Sequence, residues 1–242
     1  MPVVRSGSPS LAATRAIVEV FADVTCPFAH VGLRRFVARR EEFGLRGPIL
    51  RVRAWPLELV NGEPLEPSLV AQHAVELREQ VAPDLFRGFN PDLVPVSSMP
   101  ALELVAAAYE LSNPAGERAS LLVRDARFEQ GLDIGEPDVL DAIAAKEGIT
   151  VRPAEAERIV VHDYEEGRRR GVRGSPEFFL DGRGWYCPSL HIAQVDGVLR
   201  IEPDVEAIEA FLAACFEETP ITGGSTSPRR RGAHHTEPIP LD

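Results

Sequence analysis

Lysine is nearly absent from this sequence. Of its 26 cationic side chains only Lys146 is a lysine, and 37 Asp and Glu leave a formal net charge of −11. A chain this acidic, without a basic face, repels nucleic acid and anionic lipid, which excludes polyanion binding and attachment to a membrane surface. Long apolar runs are missing as well. No stretch approaches the roughly 18 residues of a membrane span, and Arg15 and Glu19 interrupt the apolar N-terminal stretch that a secretory leader needs. Cysteine is scarce, three in 242 residues. An odd number argues against a disulfide framework, points to a reducing, cytoplasmic compartment, and turns attention to thiol chemistry. Glycine and proline, 19 and 21 residues, stay below the roughly 25–30% of low-complexity chains, so fibrous and wholly disordered classes are out.

What is present is a mixed α/β pattern. Residues 1–14 are small and polar and are expected to form a flexible arm. Ala16-Ile17-Val18-Glu19-Val20-Phe21-Ala22 reads as a buried strand, and Asp23-Val24-Thr25-Cys26-Pro27 as a turn feeding a helix through Phe28, Val31, Phe36 and Val37. Pro27 suits the first helical position, where its missing N–H costs nothing. A second strand is expected from Ile49 to about Leu57. From about Asn61 to Gly171 the pattern becomes helical, with candidates at Pro67 to Val81, Met99 to Leu111, Pro114 to Gln130, Pro137 to Glu147 and Pro153 to Arg170. Strand signals return at Glu177 to Leu180, then a hairpin signature at Asp181-Gly182-Arg183-Gly184 and a strand at Trp185-Tyr186-Cys187. A last helix, Asp204 to Phe216, carries Val205, Ile208, Phe211, Leu212 and Cys215 on one apolar face. Residues 219–242, with Arg229-Arg230-Arg231 and His234-His235, lack apolar periodicity and are expected to be a disordered tail. The order is that of a thioredoxin-type sheet, 15–60 and 171–218, interrupted by an all-helical subdomain, 61–170.

Cys26 follows a buried strand and precedes the proline that opens a helix. There its sulfur meets free backbone N–H groups and the positive end of the helix dipole, which favour a nucleophilic thiolate. A cysteine taken at random is more often a small buried hydrophobe; the strand, Cys-Pro and helix context reverses that weighting. The second signal is Gly171-Val172-Arg173-Gly174-Ser175-Pro176-Glu177-Phe178-Phe179, a proline at the mouth of a strand. Together with Asp23-Val24-Thr25-Cys26-Pro27-Phe28-Ala29-His30-Val31-Gly32 it resembles the DsbA-like thioredoxin family. Within that family it resembles the cytosolic branch of FrnE-type oxidoreductases, 2-hydroxychromene-2-carboxylate isomerases and kappa-class glutathione transferases.

The resemblance implies an α/β, thioredoxin-like fold with a helical insertion and a cis-proline loop at Ser175-Pro176 packed beside Cys26. It places substrate or thiol contacts on Pro27, Phe28, Ser175 and Pro176, and on Ser189 and Leu190 in the segment after the next strand. One departure matters: Ala29 stands where DsbA and FrnE proteins carry the second cysteine of Cys-x-x-Cys, so the motif is monothiol. The kappa-class and isomerase branch places serine at the position of Cys26, so this chain lies between two chemistries. A tight Asp181 to Gly184 hairpin would set Glu177 and Phe178 opposite Cys187 and Pro188. That would bring Cys187 toward Cys26 as a resolving thiol, with a plain half-buried strand cysteine as the alternative. His30, one helical turn beyond Cys26, is expected to support the thiolate or a substrate anion, against the alternative of an ordinary helix-face histidine. Cys26, His30, Cys187 and His191 do not follow zinc-ligand spacing, and no metal is expected.

The expected activity is thiol–disulfide exchange or reduction with a low-molecular-weight thiol, glutathione or mycothiol, none held tightly as a cofactor. The partner is then a small thiol or disulfide, with no nucleic acid and no membrane, and a homodimer is compatible. Two alternatives stand beside it: a thiol-dependent transferase or isomerase, and a non-catalytic thioredoxin-like binding module.

Overall fold

The computed structural model describes residues 17–42, 48–195 and 198–216. The expected arm and tail lie outside the described residues. Strand β1 (Ile17–Ala22) is central, so Val18, Val20, Phe21 and Ala22 are all buried. Helix α1 (Pro27–Glu42) carries the chain over to β2 (Ile49–Ala54), which lies parallel to β1, the pairing such a crossover permits. On the other side of β1 lies β3 (Glu177–Leu180), antiparallel, followed by β4 (Arg183–Tyr186), giving the sheet order β2-β1-β3-β4. Asp181 and Gly182, at φ 49° and 80°, make the β3–β4 loop. Two positive φ values in a two-residue loop match the twist of the flanking strands.

Between β2 and β3 run six helices: α2 (Leu57–Asn61), α3 (Pro67–Gln80), α4 (Met99–Leu111), α5 (Asn113–Phe128), α6 (Pro137–Glu147) and α7 (Pro153–Arg170). Five of them open with proline at the first or second position. The expected second strand stops three residues early, at Ala54, because Pro56 is the N-cap of α2 and the Leu57 N–H is taken by the Asp23 carboxylate at 2.7 Å.

The helices also seal the sheet. Strand β2 is an edge, and unpaired edge N–H groups invite pairing with another chain. Here the N–H groups of Leu50, Val52 and Ala54 are accepted by Glu117 of α5 (2.7 Å), Tyr109 of α4 (2.8 Å) and Asp163 of α7 (3.1 Å). The acceptors are themselves tied down. Arg40 of α1 grips Glu117, Arg53 grips Asp163, and the Tyr109 hydroxyl donates to Leu50 O.

A second sheet escaped the sequence reading. Strands β5 (Leu190–Val195) and β6 (Val198–Pro203) form an antiparallel pair, fastened to α3 by the Gln80 amide, which donates to Leu199 O and accepts from Ile201 N. Helix α8 (Val205–Phe216) follows, its first turn capped by the Asp204 carboxylate on Ala207 N at 2.8 Å. Phe211 of α8 packs on Phe36, Phe178 and Trp185, which closes the core over the sheet face that carries α1.

Candidate active site

The loop between β1 and α1 is held from inside by one carboxylate. Asp23 is 1% exposed. Its Oδ1 accepts the Thr25 N–H and hydroxyl at 2.7 and 2.8 Å, and its Oδ2 accepts the Leu57 N–H and the Ser98 hydroxyl at 2.7 and 3.1 Å. The Asp23 main chain is fixed as well. Its N–H donates to Ser175 Oγ (3.0 Å), and its carbonyl accepts from Arg124 Nη2 (3.1 Å). Arg124 is wholly buried on α5 and also donates to Ser120 O and Oγ. Burial lowers the Arg124 guanidinium to about 10, so it stays charged at neutral pH, and both Asp23 and a Cys26 thiolate favour that charge.

This frame sets Cys26 just before Pro27, the first residue of α1. The Cys26 thiol donates to the Ser175 carbonyl at 3.1 Å, and the Ser175–Pro176 peptide bond is cis. Gly32 of α1 faces that loop, and a Cβ built there would lie 3.4 Å from Pro176 Cγ, in ordinary van der Waals contact. The expectation of a ready thiolate is corrected here. Cys26 is 1% exposed, and burial, helped by the Asp23 charge, pushes its thiol above the ordinary value. Ser175 and the Ala29 and Phe28 amides pull the other way without prevailing. The helix terminus does what its position predicts; water exclusion outweighs it.

Cys187 comes to the same loop. The two-residue β3–β4 turn pairs Leu180 with Arg183 and hence Glu177 with Tyr186, one residue short of the expected Glu177 to Cys187 pairing. Cys187 leaves the strand at φ 41°, and its N–H donates to the Pro176 carbonyl at 3.0 Å. The two cysteines thus hydrogen-bond consecutive carbonyls, Ser175 and Pro176. Burial and the charge of a Cys26 thiolate push the Cys187 thiol far up. Leu190 N donates to Cys187 O, and the Ser189 hydroxyl is buried with no hydrogen-bond partner among the described residues.

Pro27 and Phe28 are buried, and the Phe28 ring packs on His73. His30 takes another place than the one expected. Its ring lies 5.3 and 5.0 Å from those of Phe86 and Phe128, with Nε2 2.7 Å from Glu129 Oε1. A carboxylate only accepts, so Nε2 carries the proton; Nδ1 is buried with no partner among the described residues, and neither ring nitrogen bonds the Cys26 sulfur. Burial lowers the His30 pKa against the pull of Glu129, which keeps the imidazole neutral. Its role in the geometry is to tie the start of α1 to Glu129, which also receives the Phe86 and Arg87 amides.

Asp23, Ser98, Arg124 and Glu129 were not singled out from the sequence. A usable signal exists for Arg124 alone: Ser120, Arg124 and Arg127 fall on the apolar stripe of α5 with Val123 and Phe128, where a cation demands explanation. Among the described residues no group of three or more His, Cys, Asp or Glu is arranged to hold a metal ion, and no helix is long and apolar enough to cross a membrane.

Solved structures of other proteins share the fold, among them the following three. The cytosolic disulfide reductase DsbM from Pseudomonas aeruginosa is 18% identical, with TM-score 0.55, over 81% of this chain and 96% of that one; it has also been solved with GSH. A 2-hydroxychromene-2-carboxylate isomerase is 16% identical, TM-score 0.54, over 70% and 88% of the two chains. A probable DsbA oxidoreductase from Streptomyces coelicolor is 20% identical, TM-score 0.61, over 86% and 93%. No curated protein matches significantly in sequence. The profile of the DSBA-like thioredoxin domain matches residues 17–203, and the chain belongs to that family.

Proposed function

We propose that this protein is a thiol-dependent oxidoreductase that uses the single motif cysteine Cys26, with a low-molecular-weight thiol such as glutathione or mycothiol as its partner. The carrying observation is the position of Cys26, at the start of α1 with its sulfur on the carbonyl that precedes the cis-proline. The Cys26 thiolate attacks one sulfur of a small disulfide RSSR; the S–S bond breaks, RS⁻ leaves and takes up a proton, and Cys26–S–S–R forms. A small-thiol thiolate R′S⁻ then attacks the R-side sulfur of that mixed disulfide; the Cys26–S bond breaks, the Cys26 thiolate leaves, and RSSR′ forms, so that one thiol has been exchanged for another across the small disulfide. If Cys187 attacks, RS⁻ leaves and a Cys26–Cys187 disulfide remains, which two small thiols reduce while becoming RSSR.

Ser175 offers its backbone groups to the bound sulfur, Pro176 packs beside it, and Ser189, whose hydroxyl has no partner among the described residues, and Leu190 border the same loop. The GSH-bound reductase supports a peptide thiol as the partner class, and the three unpaired cysteines suit a cytosolic, reducing setting. One observation favours the binding-module reading: Cys26 is closed off, and a reagent reaches it only after the site opens.

Intact mass spectrometry after incubation with oxidised glutathione decides between them. A mass gain of one glutathionyl group that disappears in Cys26→Ser is expected, and mild oxidation without added thiol should yield a linked Cys26–Cys187 peptide pair. Unmodified protein after prolonged incubation, with Cys26 equally inert to a small alkylating agent, would leave only the module.

A further inference from the structure

One edge of the main sheet is sealed and the other is open. The β2 edge gives its N–H groups to Glu117, Tyr109 and Asp163, whereas β4 pairs with β3 alone. The register shows which β4 groups are spare. Antiparallel pairs alternate between hydrogen-bonded and non-bonded, and the Cys187 N–H donates to the Pro176 carbonyl. Trp185 and Arg183, two and four residues back, therefore bond β3 as well, opposite Phe178 and Leu180. Gly184 and Tyr186 point the other way, and their N–H and carbonyl groups have no partner among the described residues. Two arginines flank this edge. Arg183 lies 4.7 Å from the Trp185 ring and has no carboxylate partner among the described residues, and Arg173 lies 5.2 Å from the Tyr186 ring. An open edge recruits a strand, and this one favours an acidic strand.

The sequence contains a segment suited to it. Residues 237–242, which lie outside the described residues, read Glu237-Pro238-Ile239-Pro240-Leu241-Asp242. Successive residues of a strand direct their backbone groups to opposite sides, so the N–H groups of Ile239 and Leu241 share one side and the two prolines the other. A residue before proline is confined to extended backbone, which lowers the entropy cost of straightening Glu237 and Ile239. With its prolines outward, such a strand pairs on one side and offers no donor at 238 or 240 to a further chain. In an antiparallel register with Leu241 opposite Gly184 and Ile239 opposite Tyr186, Pro240 stands opposite Trp185 and Asp242 opposite Arg183. Glu237 then shares the face of Tyr186, where Arg173 lies. Opposite charges across a strand pair stabilise it. A slip of two residues would set Pro240 against Arg183 and lose the pairing of charges.

The chain can make the connection. Phe211 of α8 packs on Trp185 of β4, with ring centroids 5.3 Å apart, and α8 ends five residues later at Phe216, about 7.5 Å along the helix. Residues 217–236 then span up to roughly 66 Å. The tether makes the pairing intramolecular, which favours it over the same segment of another copy.

We propose that residues 237–242 add to β4 as a fifth, antiparallel strand of the main sheet and close the edge that the helices leave open. The proposal does not depend on what Cys26 reacts with.

The test is amide hydrogen exchange read residue by residue by NMR, on the full chain and on a chain ended at Thr236. Deletion should speed exchange at Gly184 and Tyr186 at least tenfold and leave Val52, on the sealed edge, unchanged. Ile239→Pro removes the N–H that faces β4 and should release Tyr186 as the deletion does, whereas Pro240→Ala, on the outward side, should keep the protection within threefold. Asp242→Arg should weaken the protection, and Arg183→Asp in the same chain should restore it. No core side chain changes in these variants. Fast exchange at Gly184 and Tyr186 in the full chain, or slow exchange that survives the deletion, overturns the proposal. Equal loss in Pro240→Ala and Ile239→Pro overturns the register. Protection that falls on dilution, together with a dimer in sedimentation, would assign the strand to a neighbouring copy and overturn pairing within one chain.

Discussion

Neutralising Asp23 should make the protein less stable and its motif cysteine more acidic at once. In Asp23→Asn the amide oxygen continues to serve Thr25, while the NH2 group turns toward Leu57 and Ser98. The Ser98 hydroxyl rotates to accept, but the buried Leu57 N–H loses its acceptor, at a cost of about 1–3 kcal/mol. Exchanging a charged for a neutral acceptor weakens the two Thr25 bonds by about 1 kcal/mol together. The buried Arg124 also loses the carboxylate that favours its charge. The two hydrogen-bond losses sum to about 2–4 kcal/mol, and at roughly 2–4 °C per kcal/mol for a chain of this size the melting temperature should fall by about 4–16 °C.

The same change acts on Cys26 in the opposite sense. The Asp23 charge is one of the two influences that raise the thiol, so its removal lowers the pKa. Circular-dichroism melting gives the first quantity. The pH dependence of iodoacetamide labelling, read on the Cys26 peptide by mass spectrometry, gives the second. An inflection that stays put or moves upward would refute the assignment of Asp23 as an electrostatic brake on the thiol. A melting temperature within about 2 °C of the parent would show that its four hydrogen bonds do not hold the loop.

The remaining predictions concern the same neighbourhood. Ala29→Cys rebuilds a Cys-Pro-Phe-Cys motif at a position that is fully buried, so the added sulfur should cost about 1–3 kcal/mol. The folded variant should form an internal disulfide and exchange with a protein disulfide, with Cys26→Ser in the same background as control; a folded variant without the bond contradicts the thioredoxin-type placement of Cys26. His30 is held below its ordinary value, so the unfolded chain binds the proton first. Its contribution to stability is complete above pH 6.5 and is lost as pH falls through the folded value. Glu129, held below its ordinary value of 4.5, extends the loss further into acid. Melting temperatures should therefore decline below pH 6.5, and His30→Gln should flatten the upper part of that decline, leaving a residual slope from His73, which burial also lowers.

The helical stretches were legible from repeated local signals: proline in the first turn of α3 to α7, and glycine just beyond α6 and α7. The pair β5 and β6 was legible in principle, since Leu190 to Val195 and Val198 to Ile201 alternate around Asp196-Gly197, a strong hairpin dipeptide. Ala193 and Gln194 dilute that alternation and weaken the strand signal. The end of β2 was misplaced because the apolar content continues through Trp55 and Leu57, and only the capture of the Leu57 amide by Asp23 marks the true boundary.

The sequence by itself determined the class of site: a strand, a Cys-Pro helix start and a proline-led strand bring one thiol to a helix N-terminus, since all three features are local. Everything that governs the reactivity of that thiol was decided in three dimensions. Burial raised Cys26 where the helix end alone would lower it, and the length of one hairpin loop delivered Cys187 to the carbonyl beside it. Asp23 and Arg124, 101 positions apart, meet under the loop, and His30 turned to Glu129, 99 positions away, rather than to the sulfur one turn behind it. Desolvation and long-range pairing depend on which surfaces meet when the helices fold back over β2, and no residue pattern within a single element records that.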